Sequence, residues 1–215
     1  MIKLYDFELS GNCYKIRLFL SILGIEFELE PIEFYPGKEH KSDVFLRINP
    51  LGQLPVLVDD GIIYRDSQAI LVYLAAKYDK SGCWYPTGDP QLVGQMQMWL
   101  GFAESLTNSI SAARLHDVFM FDFDVIHCRN RAHELLAILD EHLWMQERQG
   151  RGYLCDVSQP TIADLACFPY IALSDEGGVS LLDYPAVRRW CDRVKRIPGF
   201  VVMAGVFPVS EEFIN

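Results

Sequence analysis

The hydrophobic period of this chain changes once, within SGCWYPTGDP at residues 81–90, and that change limits what the chain can fold into. Before it, short apolar runs alternate with amphipathic segments. Residues 2–7 (IKLYDF) read as a strand, and SGN at 10–12 turns the chain into a helix. Its apolar positions Ile16, Phe19, Leu20 and Leu23 keep i, i+3, i+4, i+7 spacing, and Gly24 ends it. FELEPIEF (27–34) reads as extended, with Pro31 marking an edge or a bulge. A short helix near Ser42–Ile48 stops at Asn49-Pro50, and PVLVDDGIIY sets two apolar runs around Asp59-Asp60-Gly61, a hairpin signal. The next helix starts near Asp66-Ser67 and buries Ile70, Leu71, Leu74 and Tyr78. Residues 1–80 therefore read βαβ-α-ββα, a mixed sheet with a right-handed crossover.

After the break only helical spacing remains. Residues 91–118 carry it through Val93, Met96, Leu100, Ala103, Leu106 and Ile110, and 125–148 through Leu135, Leu136, Leu139 and Leu143. Thr161 to Asp164 follows Pro160 and precedes an apolar run, a capping box with Asp in the usual place of Glu. A last helix covers Pro185–Arg196. The expected organisation is a small α/β domain at 1–80, a linker at 81–90 and an all-helical domain at 91–215.

With 50% hydrophobic residues, 215 residues can bury a sizeable core. The 29 acidic against 19 basic residues give a formal charge of −10, which opposes binding to nucleic acid phosphates and anionic membrane surfaces. The start, MIKLYDFELSGN, lacks the basic and apolar regions of a signal peptide, and no run approaches the ~18 apolar residues of a spanning helix, so a cytosolic protein is expected. Cys13, Cys83, Cys128, Cys155, Cys167 and Cys191 show neither C-x-x-C pairs nor Cys/His groups at metal-ligand spacing. Most of them read as small core hydrophobes, with no disulfide framework and no metal site.

Four segments carry a resemblance. SGNCYKIRLFLSILGI, INPLGQLPVLVDDG, Asp66-Ser67 followed by QAILVYLA, and PTIADLACFPYI are similar, in that order and at the usual separations, to the glutathione S-transferase pattern. The resemblance spans nearly the whole chain. It implies a thioredoxin-like N-terminal domain, an all-α C-terminal domain, glutathione as co-substrate, no metal, and a homodimer. Ser10 three residues before Cys13, with His40 in EHKSD, is most similar to theta-type and related bacterial members.

The resemblance also implies a site. Glutathione's thiol is a weak nucleophile because the thiolate attacks, and a free cysteine thiol has a pKa of about 8.5. A hydroxyl at a helix start, backed by unpaired N–H groups and the helix dipole, favours the anion. Ser10 is the expected donor, and Asn12 either a second donor or a turn residue. Cys13 stands where a C-x-x-C redox pair would end, but with serine at the first position no internal dithiol forms, so it reads as a packed helix residue. A cis bond is implied between Leu54 and Pro55, presenting the Leu54 N–H and C=O to the cysteinyl unit, with Gln53 alongside. Ser67 would hold the γ-glutamyl carboxylate at a helix N-terminus, and Asp66 the α-ammonium. Both are also simple caps. His40 would meet the glycyl end, Lys41 being a weaker candidate. Phe102, Leu106, Ile110 and Arg114 would line an electrophile cleft facing Ser10, although a stripe of that kind also suits a bundle core.

The activity implied is attack of the glutathione thiolate on a small electrophile. Glutathione-dependent disulfide reduction or peroxidase chemistry, and a non-catalytic binding module on the same fold, are the competing readings.

Overall fold

The structure is a computed structural model that describes residues 1–208; the last seven positions of the expected helical domain lie outside the described residues. Strand β1 (Ile2–Asp6) buries Ile2, Leu4 and Asp6 on alternate positions. Helix α1 (Gly11–Ile22) returns the chain to β2 (Phe27–Pro31), which pairs parallel to β1 with Leu4 opposite Leu29. A 3₁₀ turn at Glu39–Lys41 and helix α2 (Asp43–Ile48) lead to the hairpin β3 (Val56–Asp59) and β4 (Ile62–Arg65), and α3 (Ser67–Tyr78) follows. β3 runs antiparallel to β1, placing Leu57 opposite Leu4, so the strand order is β2-β1-β3-β4. This mixed sheet with helices behind it is the thioredoxin-like unit expected, followed by helices alone.

Those helices are α4 (Pro90–Leu106), α5 (Ala112–Phe119), α6 (Val125–Arg148), α7 (Ile162–Ala172) and α8 (Pro185–Val194). Sequence spacing gives one helix over 91–118; the structure interrupts it with a π turn at Thr107–Ser111. Two hydroxyls bond carbonyls one turn back, Thr107 Oγ1 to Ala103 at 3.0 Å and Ser109 Oγ to Ser105 at 2.8 Å. Such back-bonding loosens the backbone ladder, and π turns cluster at functional sites.

Helix α7 is the central post. It is buried along almost its whole length and packs on α1, α3, α4 and α8. The capping box is present: Thr161 Oγ1 accepts from the Ala163 N–H at 3.3 Å, and the Asp164 carboxylate accepts from the Thr161 N–H at 2.9 Å. The same carboxylate takes the Leu154 N–H at 3.0 Å and the Trp190 Nε1–H at 2.8 Å, tying α7 to the preceding loop and to α8. The segment after α8 folds back onto α1, where Tyr14 donates to the Val201 carbonyl at 2.6 Å and Ser21 to that of Gly199 at 2.8 Å. One continuous core thus joins the sheet unit to the helical unit. A cleft opens where the starts of α1 and α3 face α4, the π turn and α5.

Candidate functional site

The cleft encloses about 570 Å³. At its centre Ser10 leaves β1 with extended backbone (φ −81°, ψ 121°) and caps α1. Its Oγ accepts the Cys13 N–H at 3.2 Å and its carbonyl the Tyr14 N–H at 2.9 Å. A hydroxyl that accepts in this way keeps its own proton to donate. Burial pushes the Cys13 thiol up to about 12, so it stays protonated at neutral pH and supplies no thiolate of its own.

Tyr170 of α7 packs its ring against the start of α1. A Cβ on Gly11 would lie 2.7 Å from that ring, so only glycine allows the approach. Burial pushes the Tyr170 hydroxyl above the usual tyrosine range, with the nearby Ser111 side chain and Asn12 backbone opposing the rise. Beside it the Asn12 carboxamide reaches Ser67 Oγ at 3.3 Å, linking the starts of α1 and α3. Ser67 has a single hydroxyl proton, and Gln68 Oε1 at 2.5 Å takes it. The same hydroxyl lies 3.3 Å from Asn12 Oδ1, so the Asn12 carbonyl faces Ser67 and its NH₂ is the group left to donate.

Asp66 caps α3 by accepting the Ala69 N–H at 2.9 Å, and its carbonyl takes the Ile70 N–H at 3.0 Å. The Ser67 and Gln68 N–H groups are left without a partner among the described residues, which is the geometry that holds a carboxylate. Asp66 reaches this position at φ 72°, ψ 125°, outside the regions open to ordinary residues. Such backbones cost of order 1–3 kcal/mol and gather at ligand sites.

The third wall precedes β3. The Leu54–Pro55 bond is cis, as the resemblance implied. Asn49 donates to the Gln53 carbonyl at 2.8 Å, and Lys41 Nζ holds the Gly52 carbonyl at 2.8 Å. Gly52 itself sits at φ +56°, with His40 and Lys41 atoms 2.9 Å from where a Cβ would stand. His40 stacks on Phe34 with centroids 4.2 Å apart, and its Nδ1 is buried with no protein partner. Burial, with Lys41 and Lys38 nearby, holds it below the usual histidine range, so it is neutral at pH 7.

Ser10, Asn12, His40, Lys41, Gln53, Leu54, Pro55, Asp66 and Ser67 therefore all line one cleft. A model of the glutathione S-transferase N-terminal domain matches residues 4–82. Over 206 residues the chain is 31% identical to glutathione S-transferase theta-1 of Mus musculus, covering 93% of this chain and 84% of that protein. The chain belongs to the glutathione S-transferase family. A solved glutathione S-transferase from Pseudomonas fluorescens Pf-5 is similar at 31% identity with a TM-score of 0.83, covering 94% of this chain and 98% of the other. A glutathione transferase homolog from Lodderomyces elongisporus, solved with two GSH per subunit, is similar at 26% identity with a TM-score of 0.80, covering 92% and 94%.

The helical side of this transferase-family cleft corrects one expectation. Leu106 and Ile110 are buried in the core, and Phe102 packs edge-on against Trp99 with centroids 5.1 Å apart. None of the three lines the cleft; the face of α4 and the π turn that does so carries Glu104, Thr107, Asn108 and Ser111. The apolar stripe is the core stripe, and the cleft-facing one is polar. Arg114 does reach the cleft, but its guanidinium is already engaged, with Glu176 and with the Leu9 carbonyl at 2.8 Å. Sequence reasoning also missed the apolar wall. Phe34 stacks on Phe7 (5.4 Å) and Phe121 (6.1 Å), and Phe121 on Phe123 (6.5 Å). The alternation FMFDF at 119–123, which begins at the last residue of α5, was the available signal.

Proposed function

We propose that the protein is a glutathione transferase that binds glutathione between α1, α3 and the loop before β3 and attacks small electrophiles with its thiolate. Residues 1–80 would form the glutathione-binding domain, 81–90 the linker, and 91–215 the domain that contributes the electrophile side. The observation that carries this reading is the convergence of two helix starts in one cleft. One, at Ser10, has a hydroxyl proton to give; the other, at Ser67, has unpaired N–H groups flanked by a carboxylate.

Ser10 would donate to the sulfur, and the α1 dipole would add positive potential at the same point. A hydrogen bond to a charged group contributes roughly 1.5–3 kcal/mol. At about 1.4 kcal/mol per unit, that depresses the thiol pKa by roughly one to two units and ionises it near neutrality. Asn12 would act through the junction its carbonyl makes with Ser67, and its NH₂ would be a second donor to the sulfur. Leu54 would offer its backbone to the cysteinyl unit, with Gln53 beside it. The Ser67 end of α3 would take the γ-glutamyl carboxylate, and Asp66 the α-ammonium. Neutral His40 would donate toward the glycyl end. The electrophile would lie between the polar face at Asn108 and Ser111 and the rings of Phe34 and Phe121.

The protein would act as a homodimer in the cytosol. The exposed Ile62 and Ile63 on edge strand β4, with exposed Met98 on α4, support an interface there. Retention on immobilised glutathione, followed by a spectrophotometric conjugation assay with a chloronitrobenzene, tests the reading. A binding module fails the second step. A disulfide reductase passes the first and turns over a glutathione mixed disulfide faster than the arene.

A further inference from the structure

Lys15 is the core residue whose chemistry least suits its place. Its side chain is fully buried in α1, and Nζ has no hydrogen-bond partner. The amine lies 5.5 Å from the centroid of the Tyr170 ring. Gly11 and Lys15 stand four residues apart on one face of α1, and Tyr170 covers both. A helical side chain leans toward the N-terminus of its helix, which carries this amine toward the capped start of α1, behind a ring that itself lines the cleft.

The titratable groups that face the amine come from three elements: Cys167 and Tyr170 on α7, Asp66 at the start of α3, and Glu104 on α4. Burial pushes the Cys167 thiol and the Tyr170 phenol up, so both are neutral at pH 7. Asp164, further along α7, is already occupied by three N–H donors. The remaining charges are the carboxylates of Asp66 and Glu104, both on the wall of the cleft. Burial lowers the Lys15 ammonium to about 8, with these carboxylates opposing the drop. With the cleft empty, the amine is therefore partly neutral in mildly alkaline solution.

We propose that Lys15 is the concealed counter-charge of the ligand cleft and takes up a proton when an anionic glutathione ligand binds. The inference rests on the glutathione reading above. Glutathione brings two carboxylates against one ammonium and, once ionised, a thiolate, into a cleft that already holds Asp66 and Glu104. In a poorly polarisable interior that added negative charge favours the protonated amine. The proton comes from solvent, and the proton lost by the thiol goes to solvent; no transfer between the two groups is required. Lys15 does not touch the ligand, since Tyr170 lies over it, so it is a positioning residue.

Titration calorimetry with S-methylglutathione, which has no thiol to ionise, tests this. Binding is measured in buffers of different ionisation enthalpy, on the wild type, Lys15→Met and Lys15→Gln. At pH 8 the wild type should take up to about half a proton per site, because the amine is half-ionised there. Both variants should take up clearly less. Their affinity should fall most at pH 7 and approach that of the wild type toward pH 9, by up to about tenfold for each unit by which binding raises the amine's pKa. A merely structural lysine predicts that Lys15→Met melts higher and exchanges the same number of protons, and that result overturns the proposal. If neither variant folds, the wild type decides alone: no proton uptake at pH 8 also overturns it. A wild type that does not bind S-methylglutathione at all defeats the glutathione reading instead.

Discussion

Asp66 joins three roles that substitution can separate. Its carboxylate caps α3 through the Ala69 N–H at 2.9 Å, its backbone occupies φ 72°, and its free oxygen faces the cleft. Asp66→Asn keeps the cap acceptor and the backbone and removes only the charge. Stability should stay within about 0.5 kcal/mol, while losing a charge-assisted hydrogen bond of roughly 1.5–3 kcal/mol to the γ-glutamyl ammonium should raise the glutathione Kd about 10–150-fold. Because that ammonium is remote from sulfur, kcat at saturation should hold and KM carry the loss. Asp66→Gly should lose a similar amount of affinity yet melt at or above the wild type, since glycine recovers part of a strain of about 1–3 kcal/mol and costs only a few tenths as a cap. Asp66→Ala keeps the strain and loses the cap, so it should be the least stable of the three by about 1 kcal/mol. Calorimetry on glutathione and denaturant melts measure both axes. Unchanged affinity in Asp66→Asn, or a glycine variant less stable than the alanine one, refutes the assignment.

Leu106→Ala should cost about 2–5 kcal/mol in denaturant melts and leave the ranking of electrophiles unchanged, because Leu106 is 1% exposed and faces the core. Asn108→Ala should do the reverse, altering kcat/KM between electrophiles with a melt close to wild type. Asp59 provides a pH test: burial pushes its carboxyl up, but hydrogen bonds from Lys77, Tyr78 and Tyr73 outweigh that and hold it down from the usual 3.8 to about 2. A carboxyl depressed in the folded state stabilises above its unfolded pKa and loses that contribution as pH falls through its folded one. Wild-type stability should therefore drop between pH 4 and 2, as read by melts across that range, and Lys77→Met should flatten the drop.

Much of this was legible in the sequence because local chemistry and global fold agree. The Thr161–Asp164 capping box, the hairpin at Asp59-Asp60-Gly61 and the cap at Asp66-Ser67 are set by residues within a turn of one another, and each forms where it was read. The walls of the cleft built by the starts of α1 and α3 and by the Leu54-Pro55 segment were legible for the same reason, since helix starts and that segment are sequence signals. The helical wall was not. Periodicity finds the apolar stripe of a helix, and in α4 that stripe packs into the bundle, while the cleft takes the polar face. The π turn at Thr107–Ser111 further alters the register beyond Leu106, through hydroxyl contacts that spacing does not encode. Lys15 was illegible too: in the CYKIRL run a lysine reads as solvated, and only the packing of α7 against α1 shows that it is buried.

The central claim is that Ser10 holds glutathione as a thiolate, and an ultraviolet thiolate titration of the bound tripeptide tests it most directly. With saturating glutathione, the wild type should titrate about one to two units below the free thiol. Ser10→Ala should move the midpoint up by about that amount, lower conjugation at pH 7 by roughly 10–100-fold, and regain part of the rate as pH rises. Glutathione affinity should change only a few-fold, because the contacts at Ser67, Asp66 and Leu54 remain. Identical midpoints and identical rates in wild type and variant would contradict the claim and leave Ser10 as no more than the cap of α1.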